Sequence, residues 1–170
     1  MIKYAMLYAD IFIKLAEERI HYAVTGGIAL VLHGVVRFTA DLDLIVDLAE
    51  DNLKRFVKVM GDLGYRPKQP VPADDLCSPE ARLRWANEKH MVVFSFYHPG
   101  KPINLVDVFI TEQLSFPIVE KELVWFEAGN VKIPVVSIAH LKQLKQIAGR
   151  PQDIADIEIL KELEGEKNKP

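Results

Sequence analysis

Apolar and polar positions along this chain repeat with two periods, and each change of period marks an element. Around residues 3–19, Met6, Leu7, Ile11, Ile13 and Leu15 give an imperfect helical stripe. "HYAVTGG" follows as a short strand, roughly 21–25, running into a glycine turn. "GIALVLHG" then supplies about two turns of buried helix, stopped by Gly34. "DLDLIVD" alternates and then turns wholly apolar, as a central strand does. In "LAEDNLKRFVKVMGDLGY", Leu53, Phe56, Val57, Met60 and Leu63 fall on one helix face, and Gly64 is placed as its C-terminal glycine.

Periodicity is lost over residues 66–79, "RPKQPVPADDLCSP", where four prolines predict a segment that is largely loop. "PEARLRWANEK" restarts a helix with Pro79 in its first turn. "HMVVFSFYHPGKPINLVDVFI" predicts a hairpin of two β-rich runs joined by "HPGKP", and "LVWFEAGNVKIPVVS" a second one around Gly129-Asn130. The C-terminal part, about 137–163, is helical and broken at "GRP", with Ser137 and Gln152/Asp153 as helix-start residues. "GEKNKP" is expected to be a frayed polar tail.

Composition narrows this picture only a little. A chain of 170 residues is expected to form one domain, and its single cysteine, Cys77, excludes a disulfide framework or a cysteine-rich metal site within one chain. The net charge of -3 gives no global attraction to nucleic acid or anionic membrane. No apolar run approaches the ~20 residues of a membrane span, and the first helix lacks a signal-peptide cleavage site. The expected location is the cytoplasm, with no membrane partner.

Candidate chemistry starts in the strand 41–47. Alternate strand residues share a face, so Asp41 and Asp43 project together while Leu42 and Leu44 enter the core. Adjacent carboxylates repel unless a cation lies between them or one is protonated, and oxygen ligands of this kind suit Mg²⁺. Alone, a D-x-D is more often the solvated start of a strand, with Asp41 capping a turn. Gly26-Gly27, at a strand-to-helix junction, lets backbone amides approach a phosphate, although a tight turn without ligand accounts for the glycines alone. Asp107 is a charge inside the apolar run "INLVDVFI" and needs a reason to be there: a salt bridge or a metal.

These residues, "GGIALVLHG" through "RFTADLDLIVD", with the later Asp107 and the ending "SIAHLKQLKQIAGRPQDIADIEIL", resemble the nucleotidyltransferase superfamily of DNA polymerase β-like fold. The similarity is to its small prokaryotic members, among them abortive-infection, toxin–antitoxin and antibiotic nucleotidyltransferases. It implies an α+β fold with a mixed, largely antiparallel central sheet flanked by helices. It further implies that Asp41, Asp43 and Asp107 hold two Mg²⁺ ions, Asp107 also helping to deprotonate the attacking hydroxyl. Gly26 and Gly27 would cradle the phosphates of an NTP, with Arg37 and Thr39 facing the same pocket and Arg37 clamping a phosphate. Lys145 would approach the nucleotide. One ion would activate the nucleophile and the other stabilise the leaving pyrophosphate. Relatives often carry serine where this chain has Gly27, and Thr25 is the nearby hydroxyl considered as its substitute.

The implied function is Mg²⁺-dependent transfer of an NMP from an NTP to a hydroxyl on a small molecule, a protein or a tRNA end. "RPK" at 66–68 with Arg82, Arg84 and Lys89 is a candidate basic patch for the last of these. A toxin-like enzyme would pair with an antitoxin, and an antitoxin-like one would modify a partner toxin. A different class stays open, namely a weakly active or inactive binding module acting through a protein partner. An apolar patch on the first helix would point to an oligomer or heterocomplex. Arg150, Asp153 and Asp156 are expected to form a structural charge network, and His33 to be a packing histidine.

Overall fold

Seven strands form one mixed sheet in a computed structural model that describes residues 7–111 and 114–169. The elements run α1 (Ala9–Glu17), β1 (Tyr22–Thr25), α2 (Gly26–Leu32), β2 (Leu42–Val46), α3 (Glu50–Asp62), β3 (Arg66–Pro67) and a 3-10 turn (Ala73–Cys77). They continue with α4 (Pro79–Lys89), β4 (Val93–His98), β5 (Lys101–Phe109), α5 (Phe116–Val119), β6 (Val124–Ala128), β7 (Val131–Val135), α6 (Ile138–Ala148) and α7 (Pro151–Lys167). The strand order is β3-β4-β5-β2-β1-β7-β6. The pairs β2–β5 and β1–β7 are parallel, and the other neighbours are antiparallel. This is the mixed, largely antiparallel sheet of an α+β fold.

Strand alternation divides the sheet into two unlike faces. One carries Val24, Leu42, Leu44, Val106 and Val108, all without exposed surface. Phe56 of α3 meets Phe96 edge-on at 6.0 Å, and Trp85 of α4 stacks on Phe94 at 5.3 Å. Each fully buried Leu or Val here contributes roughly 1.5–3 kcal/mol by leaving water. The apolar stripes of α1 and α3 therefore fix which face of β2 and β5 is inward. The other face receives Thr25, Asp43, Ser95 and Asp107.

Both hairpins form as expected, the first through a turn at Pro99-Gly100 and the second at Gly129-Asn130. Ser137 caps α6 by accepting from the His140 N–H at 3.1 Å, and Pro79 opens α4. Four expectations change. In the first helix Phe12 is buried while Ile13 is 44% exposed, because the inward stripe runs Ile11, Phe12, Leu15; Met6 lies outside the described residues. The segment 66–79 is more ordered than its prolines suggest: Arg66 and Pro67 pair with Tyr97 and Phe96 at the sheet edge, where a missing N–H is tolerated. Arg150 occupies the N-cap position of α7, ahead of Gln152 and Asp153, and Asp153 accepts from the Arg150 N–H at 3.2 Å. The tail from Gly165 stays helical to Lys167. Among the described residues no helix is long and apolar enough to cross a membrane.

Candidate functional site

Register brings the acids together. In the parallel pair β2–β5, Asp43 stands opposite Asp107, and across β1 it stands opposite Thr25, the last residue before Gly26. Leu42 and Leu44, on either side of Asp43, are pinned in the core, so the Asp43 carboxylate is held on the opposite face. Asp41 lies one residue before the strand begins and is exposed.

The glycine turn closes directly on this carboxylate. Gly26 has φ +65°, which a side chain would strain, and a Cβ there would lie 2.1 Å from Asp43 Oδ2. The Gly27 N–H donates to Asp43. A Cβ on Gly27 would meet Thr39 Oγ1 at 2.4 Å and Thr39 Cβ at 2.9 Å. The Thr39 side chain thus stands in the space that a serine at position 27 would need. The buried Thr25 is the less direct substitute.

Electrostatics reflect the crowding. Burial first, then the charges of Asp107 and Asp41, push the Asp43 carboxyl up to about 7, against the pull of Lys145 and the Gly27 amide. Burial also raises Asp107; Ser95 Oγ, donating to Asp107 Oδ1 at 2.5 Å, and the charge of Lys68 oppose the rise, while Asp41 adds to it. Ser95 and Lys68 escaped the sequence reading as neighbours of Asp107. The only signal was Ser95, a lone small polar residue in the apolar run "VVFSF".

The expected phosphate-binding cations are already engaged. Arg37 Nη1 donates to Asp156 Oδ2 at 2.9 Å, and its Nε is buried with no hydrogen-bond partner. Lys145 Nζ donates to Asp153 Oδ1 at 3.0 Å and to Asp156 Oδ2 at 2.9 Å. Arg150 Nε binds Asp153 Oδ2 at 2.7 Å. Asp153, 1% exposed, would be raised by burial; bonds from Arg150 and Lys145 outweigh this and hold it down at about 2. The expected charge network between the last two helices is present, and it includes Arg37 and Lys145. Arg150 is 74% exposed, and the charge of Asp43 reaches it as well as that of its network partners.

Other candidates fall away from this cluster. Arg82 is buried and donates to the Leu76 carbonyl at 2.6 Å, so it steadies the 3-10 turn and is not part of an exposed basic patch. Lys142 pairs with Glu164. His33 is a packing histidine, buried against Phe126 and bonded to the Val136 carbonyl at 2.8 Å.

For a metal, the donors are of the right kind: three carboxylates whose mutual repulsion a hard divalent cation would relieve. Among the described residues no three His, Cys, Asp or Glu side chains already converge at metal-holding distances. The backbone brings the acids to one place, and closing around an ion would require side-chain rotation.

No known family's sequence pattern matches this chain, and no curated protein shows significant sequence similarity to it. Solved structures do share its fold. It is similar to the lincosamide antibiotic adenylyltransferase LnuA in its lincomycin-bound form, at 17% identity and TM-score 0.59, covering 93% of this chain and 96% of that one. A nucleotidyltransferase candidate from Thermotoga maritima gives 16% identity and TM-score 0.57 over 96% of this chain and 94% of the other. An antigenic nucleotidyltransferase-like protein from Paracoccidioides brasiliensis gives 19% and 0.53 over 88% and 71%. The strand order, the glycine turn and the opposed aspartates are thus set in a backbone shared with these proteins: the fold of this chain is that of the nucleotidyltransferases.

Proposed function

We propose that this protein transfers a nucleoside monophosphate from an NTP to a hydroxyl group of an acceptor. The observation that carries the reading is the pairing of Asp43 with Asp107 beside Gly26-Gly27, which puts acids and backbone amides at one place. Asp41, Asp43 and Asp107 would hold Mg²⁺, which when bound supplies charge neutralisation and activation of the phosphates. The missing side chains at Gly26 and Gly27 let the turn close on Asp43 and Thr39, which keeps its backbone amides beside the acids where phosphates would bind. Thr39 offers a hydroxyl beside that turn, and Lys145 and Arg150 add positive charge next to Asp43.

In the reaction the acceptor oxygen bonds to the α-phosphorus as the bond to pyrophosphate breaks. Asp107, raised above the ordinary carboxylate range and steadied by Ser95, takes the hydroxyl proton. Arg37 and Lys145, held by Asp156, face the charge that accumulates on the phosphates. A small molecule, a protein side chain and a tRNA end all remain candidate acceptors, and a toxin or antitoxin partner belongs to the same proposal.

Calorimetric titration with each NTP, with and without Mg²⁺, tests this. Mg²⁺-dependent binding of at least one NTP is expected, weakened about a hundredfold by Asp43→Asn. A wild-type chain that binds no NTP with Mg²⁺ present would overturn the enzyme reading and leave a domain that keeps the fold without its chemistry. Where binding is found, α-labelled NTP then identifies the acceptor.

A further inference from the structure

Tyr8 lies just before α1, has no exposed surface, and belongs to the same core as Ile11, Phe12 and Leu15. A phenylalanine would fill the same space, so it is the hydroxyl that needs explaining. Burying a hydroxyl is unfavourable unless it is bonded. This one reaches the end of the sheet where the two acid-bearing strands part. The β2–β5 pairing runs from Leu42 opposite Val106 to Leu44 opposite Val108, and residues 35–41 have no strand partner. At that gap the Tyr8 hydroxyl donates to the Ala40 carbonyl and accepts from the Leu105 N–H at 3.3 Å, with the Leu105 carbonyl 3.1 Å away as a second acceptor. It replaces the rung that the separating strands can no longer make themselves. Ala40 directly precedes Asp41, and Leu105 lies two residues before Asp107, on the same side of β5.

We propose that Tyr8 is a positioning residue for the acid cluster, its hydroxyl bridging Ala40 to Leu105 and so fixing how far Asp41 stands from Asp107. The inference rests on the function proposed above, because a fixed separation matters only if the two carboxylates act on one ligand. Asp41 is the acid least constrained by its own element, being exposed and outside β2. The side chain of Asp43 is held by register and by Gly27, whereas Asp41 depends on the backbone at Ala40. Burial raises the phenol above its ordinary range against the Leu105 hydrogen bond, with Tyr65, Asp41 and Asp43 adding to the rise, so the hydroxyl keeps its donor.

Mn²⁺ titrated alone into the full chain is the probe, read by calorimetry beside an unfolding curve for each variant. Tyr8→Phe keeps the ring and removes the rung; Ser78→Ala, which loses the α4 cap, serves as a remote control for lowered stability. Tyr8→Phe is expected to weaken Mn²⁺ binding about tenfold, with Ser78→Ala unchanged. Equal Mn²⁺ affinity in Tyr8→Phe and wild type, with stability alone reduced, overturns the proposal and leaves Tyr8 as a core residue. Equal weakening in both variants also overturns it, since general loosening then explains the loss. A wild type and an Asp43→Asn variant that both fail to bind Mn²⁺ would instead refute the functional reading, and this inference with it. A measurement on the unaltered chain covers the case of a variant that does not fold. Mg²⁺ should slow hydrogen exchange at the Leu105 amide, and a rate indifferent to Mg²⁺ counts against the rung.

Discussion

Gly27 and Thr39 exclude each other's side chains, since a Cβ on the first would overlap the hydroxyl and Cβ of the second. Restoring a serine at position 27 should therefore harm this chain. Gly27→Ser is expected to lower the unfolding free energy by about 1–3 kcal/mol, as overpacking does, and adding Thr39→Gly should recover more than half. A double-mutant cycle in chemical denaturation checks this, and simple additivity would mean that Thr39 is not the obstacle. Gly26→Ala should be worse for the site, because it forces the backbone at φ +65° and displaces the Asp43 carboxylate at once. Its NTP binding is expected to vanish in the same calorimetric assay. Asp41, Asp43, Gly26 and Gly27 could be read from the sequence because they lie within one short stretch, where turn and strand periods are local. Tyr8 and the Thr39–Gly27 exclusion could not be read, because each depends on which remote residue arrives opposite.

At the scale of elements, α7 holds the cationic side of the cluster. Its Asp156 accepts from both Arg37 and Lys145, and its Asp153 from Lys145 and Arg150. Asp156→Asn takes from Arg37 its anionic partner and leaves Lys145 with Asp153 alone, so it should cost about 3–5 kcal/mol. The loss should persist in high salt, as read by urea unfolding at low and high NaCl. Lys58→Ala breaks an i,i+4 pair on the exposed side of α3 and should leave stability unchanged, since such a pair is open to solvent and screened. The two hairpins were legible because turn residues and alternating runs sit side by side in "FYHPGKPI" and "FEAGNVKI". The strand at Arg66–Pro67 was not, because only its partner on β4 defines it. A charge network of Arg150, Asp153 and Asp156 is expected from the sequence, but its reach to Arg37, 119 residues away, is not.

Across the whole molecule two groups give opposite responses to pH. Asp153 is held at about 2, below its ordinary 3.8, so its contribution to stability is present above about pH 4 and lost as pH falls toward 2. Asp43 is raised to about 7, so between about pH 4 and 7 the folded chain keeps a proton that the unfolded chain has released. Stability from Asp43 therefore falls as pH rises through that window and is level above it. Without metal the chain should unfold at a lower temperature at pH 8 than at pH 5. Asp43→Asn should remove much of that difference, and Mg²⁺ should reduce it by favouring the charged carboxylates. Thermal unfolding at the two pH values, with and without Mg²⁺, measures all three effects.

The bond from Arg37 to Asp156 also constrains the order in which the site can come into being. Synthesis delivers Tyr8, the glycine turn and both aspartate strands well before Asp156, the anion that fixes Arg37 and Lys145. A nascent chain ending before α7 would carry the acids with their cations unanchored. A chain truncated after residue 148 should accordingly show no Mg²⁺-dependent NTP binding, and the chain that includes α7 should show it. Nucleotide binding would then depend on α7 having joined the network, so acids and glycine turn alone would not suffice for it.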